Sequence, residues 1–124
     1  MSVLPDGAGA GVVLWLMLAG ALGAVLRLAC DHWVPRGGIL LANVAGSLVA
    51  GLVIGLQPSG DATIVWVTGF CGALTTFSTV STATADDVLR GRWGTAARTW
   101  ALHLGLGALA AVLGLLTGSA LPAP

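Results

Sequence analysis

The sequence predicts an all-α membrane protein, with four transmembrane helices in a single domain spanning residues 1–124. The chain is 56% hydrophobic and only 8% charged, whereas soluble domains carry about 25% charged residues. Its mean hydropathy is +0.96. Four windows lack any Asp, Glu, Lys or Arg, at residues 7–26, 37–60, 62–85 and 99–124. Each window is long enough for a helix of about 20 residues to cross the hydrocarbon core.

Within these windows the predicted helices cover residues 12–29, 38–56, 63–89 and 95–117. Pro35 and the Gly37-Gly38 pair break the chain in a first loop, residues 31–37, and the turn at residues 58–61 separates the second and third helices. A polar connector with Asp86 and Asp87 leads to the fourth helix. Four short helices with small-residue faces can hardly enclose a shielded pathway alone, so an oligomer is expected. The net charge is zero and there is no basic tract, so nothing indicates nucleic-acid binding.

The third window is a poor membrane helix. Gly69 and Gly72 weaken it, and seven Ser or Thr residues follow Leu74 before residue 85. Such a segment is tolerated at membrane depth only where its polar groups face protein or a water-lined cavity. The pattern therefore favours a helix that is broken in mid-membrane at a functional centre. The alternative is an unbroken helix whose small residues let neighbouring helices approach closely.

The order of residues adds a resemblance. Residues 69–79 read Gly-Phe-Cys-Gly-Ala-Leu-Thr-Thr-Phe-Ser-Thr, which resembles the third-helix signature of the Fluc (CrcB) fluoride channels. Supporting matches occur at residues 23–27, at residues 43–47 and at the Gly107/Gly114 pair, so the resemblance covers nearly the whole chain. It implies a fluoride-selective channel, not an enzyme, that exports F⁻ passively across the cell membrane and confers fluoride resistance. It also implies an antiparallel dimer embedded in membrane lipid.

The same resemblance implies an anion pathway, formed by Asn43, Phe77, Ser78, Thr79, Thr99 and His103, with Arg27 at its vestibule. Each residue type also has a structural interpretation. An intramembrane Asn commonly joins helices, an Arg near a helix end extends to the interface, and Phe77 would suit a packed core. His103 is an ionisable group within a span, which favours a functional role, but a neutral His bonded to a neighbouring helix fits equally well. One departure is Val80, where the family carries a second phenylalanine.

The resemblance further implies a structural Na⁺ at the dimer axis, held by the backbone carbonyls of Gly72 and Thr75. We therefore expect the third helix to unwind around residues 72–75, since unwound carbonyls coordinate cations in membrane proteins. No acidic side chain is needed for such a site, and residues 62–85 contain none.

A four-helix antiporter of the small multidrug-resistance type is the alternative function. A proton-coupled exporter of cations needs a carboxylate within the membrane. This chain has no Glu, and its five Asp residues fall in the tail, in loops or at predicted helix ends. The sequence therefore favours the channel. A purely structural membrane subunit is a third possibility, which the run of Ser and Thr and the presence of Asn43 weigh against.

Charge placement predicts an orientation. All five cationic residues, Arg27, Arg36, Arg90, Arg92 and Arg98, belong to the same side of a four-span topology, and there is no Lys. The positive-inside rule places that side in the cytoplasm and both termini outside. Together with Val80, this bias predicts a subunit of fixed orientation that pairs with a homologous chain of opposite orientation. The alternative is a dual-topology homodimer.

Overall fold

The computed structural model describes residues 7–121, which form four helical spans joined by three short connections. Helix α1 is Gly7–Trp33, helix α2 is Gly38–Leu56, the third span is Gly60–Leu89, and the fourth, helix α5, is Trp93–Ala120. All four are long and apolar enough to cross a membrane. No β-strand occurs within the described residues. The prediction of four membrane-spanning helices is therefore confirmed.

The third span consists of two helices separated by a break. Its first half, helix α3, covers residues 60–74 and is π-helical over Ile64–Cys71, with short α-helical turns on either side. The second half, helix α4, is Ser78–Leu89. Between them Thr75 is extended, with φ −83° and ψ 158°. The predicted mid-span break is thus confirmed.

The position of the break differs from the prediction of residues 72–75. Gly72 is still helical, with φ −62° and ψ −34°, and the irregular backbone covers residues 75–77. Glycine removes a side chain but does not by itself force the chain out of a helix. The break lies where the backbone of Thr76 is hydrogen-bonded to Asn43 on α2 instead of to its own helix.

The first and fourth helices are longer than predicted, and Asp86 lies within a helix. Helix α1 covers more than residues 12–29 because nothing interrupts the helical pattern before Pro35, which disfavours the helical conformation of the residue preceding it. The chain is helical from Gly7 onward, and residues 1–6 lie outside the described residues. Asp86 belongs to α4 and not to a connector, since it pairs with Arg90 one turn later at 2.8 Å. Helix α5 extends beyond the predicted residues 95–117 at both ends.

Helices α2 and α5 are held together by mutual glycine contacts. A Cβ atom added at Gly51 would lie 2.9 Å from the carbonyl carbon of Ala111, and one added at Gly114 would lie 2.8 Å from the backbone nitrogen of Leu52. Gly55 and Gly118 meet each other's helices in the same way. Close backbone approach of this kind supplies the van der Waals contact that holds helices together in lipid.

Helix α1 approaches the third span by the same means. A Cβ atom added at Gly23 would lie 3.0 Å from the backbone nitrogen of Leu74, next to the break, and would collide with the carbonyl of Phe70. Gly69 on α3 is covered in turn by Leu16 of α1. These reciprocal contacts with α1 therefore help to fix the depth at which the break lies.

We predict that Gly114→Ala destabilises the fold. The added methyl group meets backbone atoms of Leu48 and Leu52 that cannot move independently of α2, and overpacking of this kind costs about 1–3 kcal/mol. The free energy of unfolding in a detergent titration measures the effect. Gly105→Ala is the matched control, because a Cβ atom there meets no other atom within 4 Å. Equal stability of the two variants would contradict the glycine contacts.

Candidate functional site

The side-chain amide of Asn43 completes the backbone pairing of the break. Its Oδ1 accepts a hydrogen bond from the backbone nitrogen of Thr76 at 2.7 Å, and its Nδ2 donates to the carbonyl oxygen of the same residue at 3.1 Å. The bonds to both backbone groups fix which way the amide faces. A side chain of α2 thus replaces the helical partners that Thr76 has lost.

His103 of α5 joins the same network. Its Nδ1 lies 3.0 Å from Nδ2 of Asn43, so both hydrogens of the amide nitrogen have acceptors within the chain. The helix-joining interpretations of Asn43 and His103 therefore describe one arrangement. It ties α2, the third span and α5 together at the level of the break.

Two cavities meet at His103. The first, which we call the vestibule cavity, has a volume of about 290 Å³ and lies at the end of the molecule where α1, α2 and α5 approach one another; its walls include Asp31, Arg36, Gly37, Thr99 and His103. The second, the inner cavity, has a volume of about 240 Å³ and follows the break; its walls include Asn43, Ser47, Thr76, Phe77, Val80, Trp100 and His103. His103 lines both cavities and Thr99, one turn away on α5, lines the vestibule cavity, so the two residues form a polar line along the cavity walls.

Aromatic rings form one wall of the inner cavity. Phe77 and Trp100 meet edge to face, with ring centroids 5.5 Å apart and an angle of 61° between their planes. Nε1 of Trp100 donates to the hydroxyl of Thr84 at 3.1 Å, which holds the indole against α4. Phe77 is 73% exposed and does not occupy a packed core, while Val80 is buried.

Hydroxyl groups surround the start of α4. Oγ1 of Thr76 lies 3.0 Å from Oγ1 of Thr79 and 3.3 Å from Oγ of Ser78, and it accepts a hydrogen bond from the backbone nitrogen of Thr79. Thr76 therefore caps α4, since it satisfies a backbone donor in the first turn. Ser78 and Thr79 are both exposed, so the hydroxyl groups that contact Thr76 lie at the surface of the described chain.

The carbonyls at the end of α3 were predicted to hold a cation. Because the backbone nitrogen of Thr76 donates to Asn43, the carbonyl of Gly72 has lost its usual helical donor, and Gly72 is exposed. The carbonyl of Thr75 accepts a long hydrogen bond from Nη1 of Arg27, at 3.5 Å, which leaves it a second lone pair. Within residues 7–121 no three His, Cys, Asp or Glu side chains form a metal-binding cluster. Carbonyl oxygens at a helix C-terminus nonetheless suit a cation.

Two oppositely charged residues, Asp31 and Arg36, lie on the wall of the vestibule cavity. Arg27, the predicted vestibule residue, lies beside the break and does not line the vestibule cavity. Arg36 lines it instead, together with Asp31. The sequence analysis used Arg36 only to predict the orientation in the membrane, although its position between Pro35 and two glycines indicates a turn. In the structure Arg36 has a φ of 70°, a conformation that residues other than glycine rarely adopt.

Two other residues of the site escaped the sequence analysis. Thr76 contributes its backbone to the bonds with Asn43, and Trp100 packs on Phe77. For Thr76, the adjacent Thr75-Thr76 pair in the sequence was the one available indication. The sequence analysis does not single out Trp100, because its contact with Phe77 joins two different helices.

Comparison with known proteins identifies relatives over most of the chain. A family model described as CrcB-like protein, Camphor Resistance (CrcB), matches residues 14–115. A protein of Deinococcus radiodurans named fluoride-specific ion channel FluC is 42% identical over 120 residues, covering 87% of this chain and 95% of the relative. Fluoride-specific ion channel FluC 2 of Cutibacterium acnes is 42% identical over 123 residues, covering 86% and 97%. FluC of Acidobacterium capsulatum is 36% identical over 118 residues, covering 86% and 94%.

We predict that Asn43→Ala loosens the break. The change leaves the backbone nitrogen and carbonyl of Thr76 without partners, and an unsatisfied buried polar group costs about 1–3 kcal/mol. Hydrogen exchange of the Thr76 amide should accelerate, and the free energy of unfolding should fall. Ser47→Ala is the control, because Ser47 is one turn along α2, lines the same cavity and has no side-chain hydrogen bond within the described residues. Unchanged exchange at Thr76 would show that Asn43 does not hold the break.

Proposed function

The chain belongs to the CrcB family, and on this premise we propose that it is a fluoride-selective channel that exports F⁻ passively across the cytoplasmic membrane and so confers fluoride resistance. The observation that carries the proposal is the polar line of the vestibule and inner cavities, which reaches the break of a membrane-spanning helix. The relatives reported above, which this chain matches over nearly their whole length, are named fluoride-specific ion channels.

The chemistry of this line suits a small, strongly hydrated anion. A selective path must replace the hydration shell with hydrogen-bond donors and positive dipole ends. The hydroxyl of Thr99 and the ring of His103 supply donors along the cavities, and the edge of Phe77 carries partial positive charge. The hydroxyls of Ser78 and Thr79 would supply further donors on the exposed face beside the break. Arg36 at the vestibule cavity would raise the local concentration of anions. Arg27, beside the break, would add to the positive potential there. No step requires covalent chemistry.

The multidrug antiporter has no support from these findings. Its mechanism needs a carboxylate in mid-membrane. Asp31 lies near the end of α1, Asp61 at the start of α3, and Asp86 and Asp87 near the end of α4, where they pair with Arg90 and Arg92. The remaining aspartate, Asp6, lies outside the described residues. The matched relatives are named as fluoride channels and not as exporters of organic cations.

We further propose that the channel is an antiparallel dimer. Gly72, Phe77, Ser78 and Thr79 are exposed at the level of the break. Exposed polar groups and irregular backbone do not face lipid in mid-membrane, so a second protein surface must cover them. A second copy of this chain or a homologous chain of opposite orientation would supply that surface and complete the pathway.

The backbone carbonyls at the end of α3 also support a structural Na⁺ between the subunits. Gly72 and Thr75 would hold it with backbone oxygens at the negative end of α3. Such a cation would offset the cost of bringing an anion to membrane depth. One chain offers two of these carbonyls, so the remaining ligands would come from the partner or from water.

We predict that liposomes containing the purified chain release fluoride and retain chloride. The reason is the preference of a dry, donor-lined path for the smaller anion. An ion-selective electrode measures both anions, first with this chain alone and then with a co-expressed homologous partner. Asn43→Asp should abolish release, because the variant lacks the amide donor and adds a negative charge. Gln57→Glu, the same chemical change at the exposed end of α2, is the control. Equal release of both anions would overturn the proposal.

We predict that Gly72→Val reduces fluoride flux far more than Thr75→Ala does. A Cβ atom at Gly72 meets only the carbonyl of Val67, at an ordinary 3.7 Å. A loss of flux in this variant would therefore come from interference with the cation or with the partner subunit. The hydroxyl of Thr75 donates a hydrogen bond to the carbonyl of Cys71, one turn earlier. Removing this hydroxyl leaves the Thr75 carbonyl in place. Gly105→Val is the control for a branched residue in a span. Replacement of Na⁺ by a bulky organic cation should also lower flux, and the reverse ranking of the variants would contradict a carbonyl site.

We predict one orientation, with both termini outside and the Arg36 loop in the cytoplasm. Arg36 and Arg98 lie at the same end of the molecule as the α4–α5 connection, which carries Arg90 and Arg92, and Arg27 belongs to the half of α1 nearer to that end. Single cysteines in the tail and beside Arg36, in a background with Cys30 and Cys71 replaced, are labelled by an impermeant reagent from each side. Equal labelling from both sides, together with flux from this chain alone, would indicate a dual-topology homodimer instead.

A further inference from the structure

Hydrogen-bond accounting at Asn43 determines the state of His103. The backbone nitrogen of Thr76 can only donate, so the amide atom 2.7 Å away is the oxygen Oδ1. The other amide atom is therefore the nitrogen, and it faces both the carbonyl of Thr76 and Nδ1 of His103. Because Nδ2 can only donate, Nδ1 of His103 must be an unprotonated acceptor. The neutral ring then carries its hydrogen on Nε2.

The Nε2–H group is open to a ligand. No hydrogen-bond partner for Nε2 occurs in the described part of the chain, and Ser81 Oγ is the only unpartnered side-chain polar atom there that is fully enclosed. Nε2 therefore retains accessible surface. His103 lines both cavities, whereas Asn43, toward which Nδ1 points, lines only the inner one. The two ring nitrogens point in diverging directions, so Nε2 is the one available to the vestibule cavity.

We propose that the Nε2–H group of His103 is the donor that binds the permeating anion where the vestibule cavity meets the inner cavity, and that Asn43 is a positioning residue that fixes the histidine tautomer. This inference rests on the proposed function. The amide hydrogens of Asn43 are both engaged within the chain, so the neighbouring imidazole supplies the free N–H group.

The surroundings of Nε2 favour transient binding. Arg36 and Asp31 carry opposite charges on the wall of the same cavity, and the Thr99 hydroxyl lies one turn away on α5. A neutral donor between these groups attracts an anion without trapping it, and conduction requires binding that is weak enough to release the ion.

Two substitutions separate the ring nitrogens. The Gln amide extends from Cδ and can place a donor near the position of Nε2, whereas the Asn amide extends from Cγ and can reproduce only the acceptor at Nδ1. Fluoride efflux is measured for the wild-type chain, His103→Gln and His103→Asn, each reconstituted as the complete channel and checked for monodispersity. We expect His103→Gln to retain most of the flux and His103→Asn to lose roughly tenfold or more, the effect of one hydrogen bond to a charged ligand. A flux for His103→Gln that does not clearly exceed that of His103→Asn overturns the proposal.

A second measurement does not depend on the variants. Nitrogen NMR of the wild-type protein labelled at histidine, with His32→Gln to assign the two ring signals, reports the tautomer directly. We expect the Nε2–H tautomer at His103, with an Nε2 resonance that moves on addition of fluoride and not of chloride. The Nδ1–H tautomer, or no response to fluoride, overturns the proposal. Absence of fluoride flux from the wild-type channel would instead overturn the proposed function, and the NMR result would still decide the assignment at His103.

Discussion

The pairing of the Asn43 amide with the backbone of Thr76 is the constraint on which the rest of the structure depends. A helix can be interrupted in a membrane only if the freed backbone groups find partners, since each unsatisfied group costs several kcal/mol in hydrocarbon. Here one side chain satisfies a donor and an acceptor of the same residue, at 2.7 and 3.1 Å. The break of the third span is thus a property of two helices, and its position is set by α2.

This pairing requires close approach, which explains the distribution of glycine. Gly46 lies on α2 one turn after Asn43, and a Cβ atom there would be 2.5 Å from Cγ2 of Thr75. Any larger residue would hold α2 away from the break and lengthen the Asn43 bonds. On the opposite side, Gly51 and Gly114 bring α5 equally close to α2, which delivers His103 to the same amide. Small residues in this chain therefore position polar ones.

Sequence reasoning could predict the elements better than their contacts. Charge-free windows give four spans, and the hydroxyl-rich run after Leu74 indicates a break, because both signals are local. The resemblance predicts the break at residues 72–75, where carbonyls would hold a cation, yet hydrogen bonds from another helix decide the register. Asn43 and His103 were identified individually, but their contact spans sixty residues of sequence. Likewise, the loop conformation that brings Arg36, and not Arg27, to the vestibule cavity has no local signature.

The exposure of the break gives this network its functional meaning. Asn43, His103 and the Thr76 backbone satisfy one another, so the inner side of the break is complete within one chain. The outer side is not, because Phe77 is 73% exposed and the polar residues Ser78 and Thr79 are exposed beside it. A purely structural subunit would gain nothing from polar groups on a face that must be covered. A pathway does gain from them. Donors that are already fixed on one wall, and enclosed by a second surface, can replace the hydration shell of an ion without rearranging.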